Sequence, residues 1–288
     1  MAQTSTSPVA WRPEEAATGR TRGRRSPSLI AGASILTVLV ALAVFAPLLS
    51  RWDPLAQNTS RTLLHPSAQH LLGTDQLGRD VWARLLFGAR IDLEVGFLAV
   101  LFPFVIGTAL GCLAGYFGGW IDTVIMRAVD VVLAFPFFVL VIAIVFVLGP
   151  GTVSIFIALA VTDWVSYAWI LRGEILAAKR QEYVLAARAL GYSRRRIIFR
   201  HLLPNVITQA IVYAMSDIVF AILAIVTLGY LGLGVPPPTP EWGSMISDGQ
   251  QFITTNWQLA TIPGIAVVIT GLGLSLLGDG LADVLRPE

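Results

Sequence analysis

The chain has 288 residues, 55% of them hydrophobic and only 13% charged, with a mean hydropathy of +0.72. A soluble domain carries roughly 25% charged residues, so this composition excludes one that covers itself with solvated side chains and indicates an integral membrane protein. The single cysteine, Cys112, excludes an internal disulfide and a cysteine metal cluster, while the net charge of +2 matters less than where the charges sit.

Residues 1–28 are rich in Ser, Thr, Pro and Arg and lack an apolar pattern, which predicts a disordered cytoplasmic tail. The first apolar run, 29–49, is long for a cleavable signal core although Arg24-Arg25 precede it, so it reads as a membrane span. Residues 50–94 form an extracytoplasmic segment. Five more runs of span length follow at 95–117, 131–148, 152–171, 206–229 and 259–277. At a rise of ~1.5 Å per residue each matches a hydrocarbon core ~30 Å thick. Gly149-Pro150-Gly151 sets a tight turn between the third and fourth spans. The expected fold is therefore all-α and integral to the membrane. A core of five spans covers 95–280, including a loop at 172–205, and 281–288 form the C-terminus.

Six spans place both termini on one side. With the N-terminus inside, the inner segments hold fifteen Lys and Arg and the outer segments five. That bias predicts cytoplasmic termini and a cytoplasmic 172–205 loop.

Along the spans, Gly107, Gly111 and Gly115 form overlapping G-x-x-x-G units, a pattern for close helix approach within the chain or between subunits. Asp163 and Asp217 are ionisable groups at membrane depth, costly there unless they face a bundle interior or water. They are candidates for a translocation pathway or gate, and equally for a helix–helix hydrogen bond. Outside, residues 73–90 and 230–258 predict interfacial helices. Their Trp82 and Trp242, with Trp257, are candidates either for docking a soluble partner or for interfacial anchoring.

Catalytic and nucleotide chemistry is missing. Lys179, the only lysine, follows Ala178, so no phosphate-binding G-x-x-x-x-G-K-[ST] loop exists. The glycines at 229, 232 and 234 have the wrong order for a dinucleotide fingerprint, and His65, His70 and His201 lack metal-ligand spacing. The chain itself reads as no enzyme, with no bound cofactor.

The 182–204 segment, EYVLAARALGYSRRRIIFRHLLP, is a polar, basic island between apolar runs. Residues 181–190 predict a short helix with Glu182 in its first turn and Gly191 as its stop. Ser193 caps a second helix that runs to Pro204. Ala186 and Ala187 allow close approach of a partner surface, and Tyr183 and Leu190 can fill a pocket. The arginines alone are explained by anionic lipid headgroups, and nucleic acid fits poorly beside a membrane.

This segment resembles the cytoplasmic loop of permease subunits of bacterial ATP-binding-cassette importers, E-A-A-x3-G-x9-I-x-L-P. Ala186 and Ala187 match the alanines, Gly191 the glycine, and Leu203-Pro204 the close. Leu185 stands at the motif's Glu position, with Glu182 one turn earlier, a variant that looks like the peptide and nickel permease family. GTDQLGRDV (73–81), AGYFGG (114–119) followed by Asp122, Met126-Arg127 and Asp130, AFP (134–136), LGLG (231–234), EWG (241–243) and GDGL (278–281) resemble the C-type dipeptide/oligopeptide subunit in the same order. Trp169, Gly229 and Ile225 depart from that pattern near the presumed pathway.

The resemblance implies a type I importer permease fold in which the loop is a coupling helix, carried by Glu182, Tyr183, Ala186, Ala187, Gly191, Leu203 and Pro204. It implies a heterodimer with a homologous permease, two ATPase subunits or domains that hold ATP and Mg²⁺, an extracytoplasmic solute-binding protein and a peptide substrate. A nickel or metal-chelate importer shares these signatures. Two other classes, an ion-coupled secondary transporter using Asp163 or Asp217 and a non-transporting scaffold, do not account for the coupling-loop pattern.

Overall fold

The computed structural model describes residues 26–285, and the expectation of a disordered tail lies outside these except at its last three positions. Ser26 caps the first helix, α1 (Pro27–Val44), by accepting a hydrogen bond from the Leu29 amide, with Pro27 at the first helical position where its missing N–H costs nothing. A short α2 (Ala46–Leu49) completes the first crossing. α1 packs on the last helix, α11 (Gln258–Leu285), through Gly32, Gly273 and Gly280, each set against the other helix without room for a Cβ. In lipid no hydrophobic force drives two apolar helices together, so backbone approach of this kind supplies the packing.

α3 (Val81–Phe117) is 37 residues long, about 55 Å at 1.5 Å per residue, well beyond a hydrocarbon core. The outer segment therefore ends at Asp80, which caps α3 by accepting from the Ala83 amide at 2.7 Å. Trp82 belongs to the first turn of this long helix and not to a separate interfacial helix. The stretch before it is held by ions. Arg79 Nε donates to Asp75 Oδ2 at 2.6 Å, Arg84 reaches the same carboxylate at 3.6 Å, and Arg79 meets Asp248 at 3.4 Å. His70 Nδ1 pairs with Asp80 Oδ2 at 2.9 Å. The GTDQLGRDV string thus knots the outer segment onto α3 and onto α10 (Trp242–Gln250).

The expected third span, 131–148, is replaced by a broken pair. α4 (Gly119–Leu133) and α5 (Phe137–Leu148) meet at 87°, and 119–130 is helix, not loop. Pro136 is the cause: it sits in extended conformation (φ −60°, ψ 130°) as the N-cap of α5, has no amide to donate, and disfavours helix at Phe135. Twelve residues of α5 span only about 18 Å, so α4 must contribute to the crossing.

α6 (Thr152–Ala178) is the central helix. Gly107, Gly111 and Gly115 of α3 lie against Trp164, Ala168 and Arg172 at matching spacing, so the G-x-x-x-G units act within the chain. α7 (Glu182–Ala189) and α8 (Arg194–Arg196) follow, and α8 runs through a π-helical stretch, Ile197–Leu202, into α9 (Leu203–Tyr230). The helix expected to stop at Pro204 instead continues, giving one apolar 37-residue run from Arg194 to Tyr230. A π turn shifts the hydrogen-bond register by one residue, which absorbs the missing Pro204 amide, and Asn205 Nδ2 donates to the His201 carbonyl at 2.6 Å. α11 reaches Leu285, so the cytoplasmic C-terminus expected from 281 is helical up to there, and 286–288 lie outside the described residues.

Among the described residues five helices are long and apolar enough to cross a membrane, six crossings if α4–α5 counts as one, and no strand forms beyond the isolated bridge Thr74–Asp80. The main core joins α3, α6 and α9 around Ile155, Leu159, Tyr167, Ile222, Ile225 and Leu228. Ile225, expected near the pathway, is fully buried in it.

Candidate functional site

The segment between α6 and α9 is shaped by local backbone chemistry. α7 stops at Gly191, whose φ of +73° is left-handed and open to glycine without strain. The Gly191 amide donates to the Arg188 carbonyl at 2.9 Å and the Tyr192 amide to the Ala187 carbonyl at 3.2 Å, the paired bonds of a Schellman stop. Ser193 Oγ then accepts from the Arg196 amide at 3.4 Å to start α8. One glycine and one serine therefore fix the angle between two helices.

The two faces of α7 differ. Val184 and Ala187 are buried with Ile197 and Leu202 in the main core, so Ala187 packs inward and does not meet a partner. Glu182, Ala186 and Gly191 are exposed, as is Pro204 at the start of α9, whereas Leu203 is half-buried. Tyr183, Leu185, Leu190 and Phe199 are exposed too, at 41%, 50%, 71% and 67%. Apolar side chains gathered on a polar segment, with Arg188, Arg194 and Arg195 around them, are the pattern of a protein-binding patch. Arg196 stacks on Tyr192, 4.0 Å from its ring centre, and Tyr192 stacks on His201, so part of the basic charge stiffens the turn.

At membrane depth, Asp217 of α9 is buried and accepts from Tyr167 Oη of α6 at 2.7 Å. Tyr167 in turn packs edge-on against Phe104 and Tyr213. Asp163, one turn before Tyr167, is half-buried and within Coulombic range of Asp217. The two acids are thus brought together across the α6–α9 contact, and Asp217 makes the helix–helix hydrogen bond. Spacing alone would have flagged Tyr167 and Tyr213, each four residues from an acid on the same helix face.

Outside, Trp242 is 1% exposed; its indole donates to the Leu85 carbonyl at 3.1 Å and its amide to Asp92 Oδ2 at 3.0 Å. It is a core residue and offers no docking surface. Trp82 is half-buried, its indole directed at the Leu49 carbonyl, while Trp257 is 58% exposed. Asp92 and Glu241, which the sequence did not single out, are both wholly inaccessible and adjoin each other beside Trp242. Glu241 also caps α10 by accepting from the Gly243 and Ser244 amides at 2.6 and 2.8 Å. Burial pushes its carboxyl up to about 7 against those donors. Gly229 leaves the space that Glu241 occupies, so its departure from the family pattern serves packing.

Comparison with known proteins agrees with this arrangement. Residues 107–288 match the model of the binding-protein-dependent transport system inner membrane component, and residues 20–66 that of the N-terminal transmembrane domain of oligopeptide transport permease C. The dipeptide transport system permease protein DppC of Alkalihalophilus pseudofirmus is 42% identical over 92% of this chain and 87% of its own length. The oligopeptide transport system permease protein OppC of Bacillus subtilis is 38% identical over 93% and 88%. In fold, the chain is similar to an inward-facing MetNI methionine ABC transporter structure at a TM-score of 0.58 and 20% identity, covering 70% of this chain and 96% of that one.

Proposed function

The chain belongs to the inner-membrane components of binding-protein-dependent transport systems, the permeases of ATP-binding-cassette importers, and from that premise we propose that it moves di- and oligopeptides inward as half of a heterodimeric pathway. The names of its relatives support the peptide substrate. The excess of Lys and Arg on the 172–205 side supports cytoplasmic termini.

In this reading a homologous permease supplies the other half of the pathway, an extracytoplasmic binding protein delivers the peptide, and two ATPase subunits bind ATP and Mg²⁺. The observation that carries the coupling role is the exposed apolar set of Tyr183 and Leu185 on α7, Leu190 at its end and Phe199 in the π-helical stretch, with α7 closed by its Schellman stop. An ATPase cleft that takes up this set gains burial of about 25 cal/mol per Å² of apolar surface. Closure of the ATPase pair then moves α7 as a rigid body, because the Schellman stop and the buried Val184 and Ala187 leave no slack to absorb the push. Asp163 and Asp217 stand where an ammonium group of a passing peptide would meet negative charge.

The test is copurification and transport. Tyr183→Asp and Leu190→Asp are expected to reach the membrane yet lose the ATPase subunits and peptide uptake. Retention of the ATPase with unchanged uptake per ATP would refute the coupling role.

A further inference from the structure

The AGYFGG string and Asp122 have no part in the coupling reading so far, yet three cations from the coupling side converge on them. Arg172, near the cytoplasmic end of α6, grips Asp122 of α4 with both arms of its guanidinium: Nε donates to Oδ1 at 2.5 Å and Nη2 to Oδ2 at 2.7 Å. The side chains are 29% and 20% exposed, so the pair is partly shielded from water. Lys179, the residue that caps α6, donates from Nζ to the Gly115 carbonyl at 2.9 Å. That carbonyl belongs to the last turn of α3, where carbonyls have no helical partner and the helix dipole favours a cation. Arg188 of α7 sits 5.8 Å from the centre of the Tyr116 ring. Beneath them Gly115 touches α6 so closely that a Cβ would lie 2.8 Å from Ile175 Cβ and 2.9 Å from the Arg172 carbonyl. Gly118 and Gly119, both at positive φ, then turn the chain from α3 into α4 in open space.

We propose that Arg172, Lys179 and Arg188 form a bracket that clamps the coupling segment to the α3–α4 turn through Asp122, Gly115 and Tyr116, so that the ATPase stroke moves the broken span α4–α5 together with α9. This rests on the coupling role proposed above. A neighbouring pair shows the contrast: Arg127 and Asp130, on α4 alone, are 80% and 62% exposed at 3.6 Å and join nothing across helices. The bracket instead bridges α6 and α7 to α3 and α4 at three points within eight residues of chain, 115 to 122. Its three contacts differ in chemistry, so no single change of ionic strength releases them all.

The bracket makes two predictions for the assembled transporter, with its partner permease, ATPase subunits and binding protein in proteoliposomes. Asp122→Arg and Arg172→Asp, each alone, set like charges face to face and are expected to raise the ATP consumed per peptide imported about tenfold, and the double swap to recover most of that loss. Unchanged stoichiometry in either single variant, or a double swap no better than the singles, would overturn the bracket. Should the charge variants fail to assemble, Asp122→Cys with Arg172→Cys on a Cys112→Ser background decides the matter. Joining the two thiols by a linker the length of the lost ion pair is expected to restore transport, because the clamped parts keep their distance through the cycle. Transport that stops on cross-linking would mean they must separate, and the bracket falls. Gly191→Trp serves as the control for the coupling role: if it uncouples while the bracket variants do not, only the bracket is wrong. If it too leaves coupling intact, the coupling role itself is wrong.

Discussion

Replacing Glu241 by Gln is expected to remove much of the pH dependence of this protein's stability near neutrality. Glu241 and Asp92 lie side by side without access to water, and burial holds the Glu241 carboxyl near 7 against its usual 4.5. The folded chain therefore keeps a proton that the unfolded chain releases. The stabilisation is complete below pH 4.5 and is lost as pH rises through 7. At 1.36 kcal/mol per pH unit the gap is worth on the order of 3 kcal/mol. A Gln at 241 can still accept from the Gly243 or Ser244 amide with its oxygen, and it carries no proton that titrates in this range. The assay is thermal unfolding in nanodiscs across pH 5 to 8. The wild-type midpoint is expected to fall by roughly 5–10 °C more than that of Glu241→Gln over this range. Parallel curves, or a wild type that gains stability toward pH 8 relative to the variant, would refute the buried-proton account.

Three further outcomes follow from packing and from the pathway acids. Gly111→Leu forces a side chain into the backbone of Ala168, and a loss of about 3 kcal/mol, read as reduced yield and a lower melting temperature, is expected. Trp242→Ala should cost about 3–5 kcal/mol, as a core aromatic does, whereas Trp257→Ala, at an exposed position, should shift the midpoint little. Asp217→Asn keeps an acceptor for Tyr167 and should change stability by less than about 1 kcal/mol. With Asp163→Asn it should nonetheless lower peptide uptake about tenfold if the acids meet a peptide's ammonium group, an interaction of ~1.4 kcal/mol. Unchanged uptake in both would assign them to helix packing alone.

Much of the fold was legible because a membrane span announces itself by length and apolarity, and because caps are local chemistry. Gly191 as a stop and Ser193 as a start follow from residue type within one turn of chain, and the structure has both. What failed did so where two outcomes share one local signal. Pro136 was visible inside an apolar run, but membrane helices often keep a proline with a mild kink, and nothing nearby distinguishes that from an 87° break. A tryptophan beside an interface suits both an exposed and a buried site; Trp242 went inside because Asp92 and Leu85, a hundred and fifty residues earlier, supply its acceptors. Pro204 looked like a helix terminator, since the π turn that rescues it depends on register, not on residue type. The G-x-x-x-G face was legible as a packing surface, while its partner, α6, was not. In the coupling segment the stop at Gly191 and the start at Ser193 were readable, but not the inward packing of Ala187. Asp92 and Glu241 acquire their buried pairing only from tertiary neighbours.

The uninterrupted run from Arg194 to Tyr230 has a mechanical consequence. Thirty-seven residues make a rod about 55 Å long, with one end in the polar segment and the other at the outer loop that carries Glu241 and Trp242. Pivoted at one end, such a rod turns a tilt of about 5° into an excursion of about 5 Å at the other, roughly the rise of a helical turn. A tilt that leaves side-chain packing nearly undisturbed is thereby enough to carry an end of the rod by the size of an opening. The gearing ratio depends on where the pivot lies along the run, and the buried Tyr167–Asp217 hydrogen bond, twenty-three residues from Arg194 and thirteen from Tyr230, is its natural fulcrum: the Tyr230 end then moves little more than half as far as the Arg194 end, in the opposite sense.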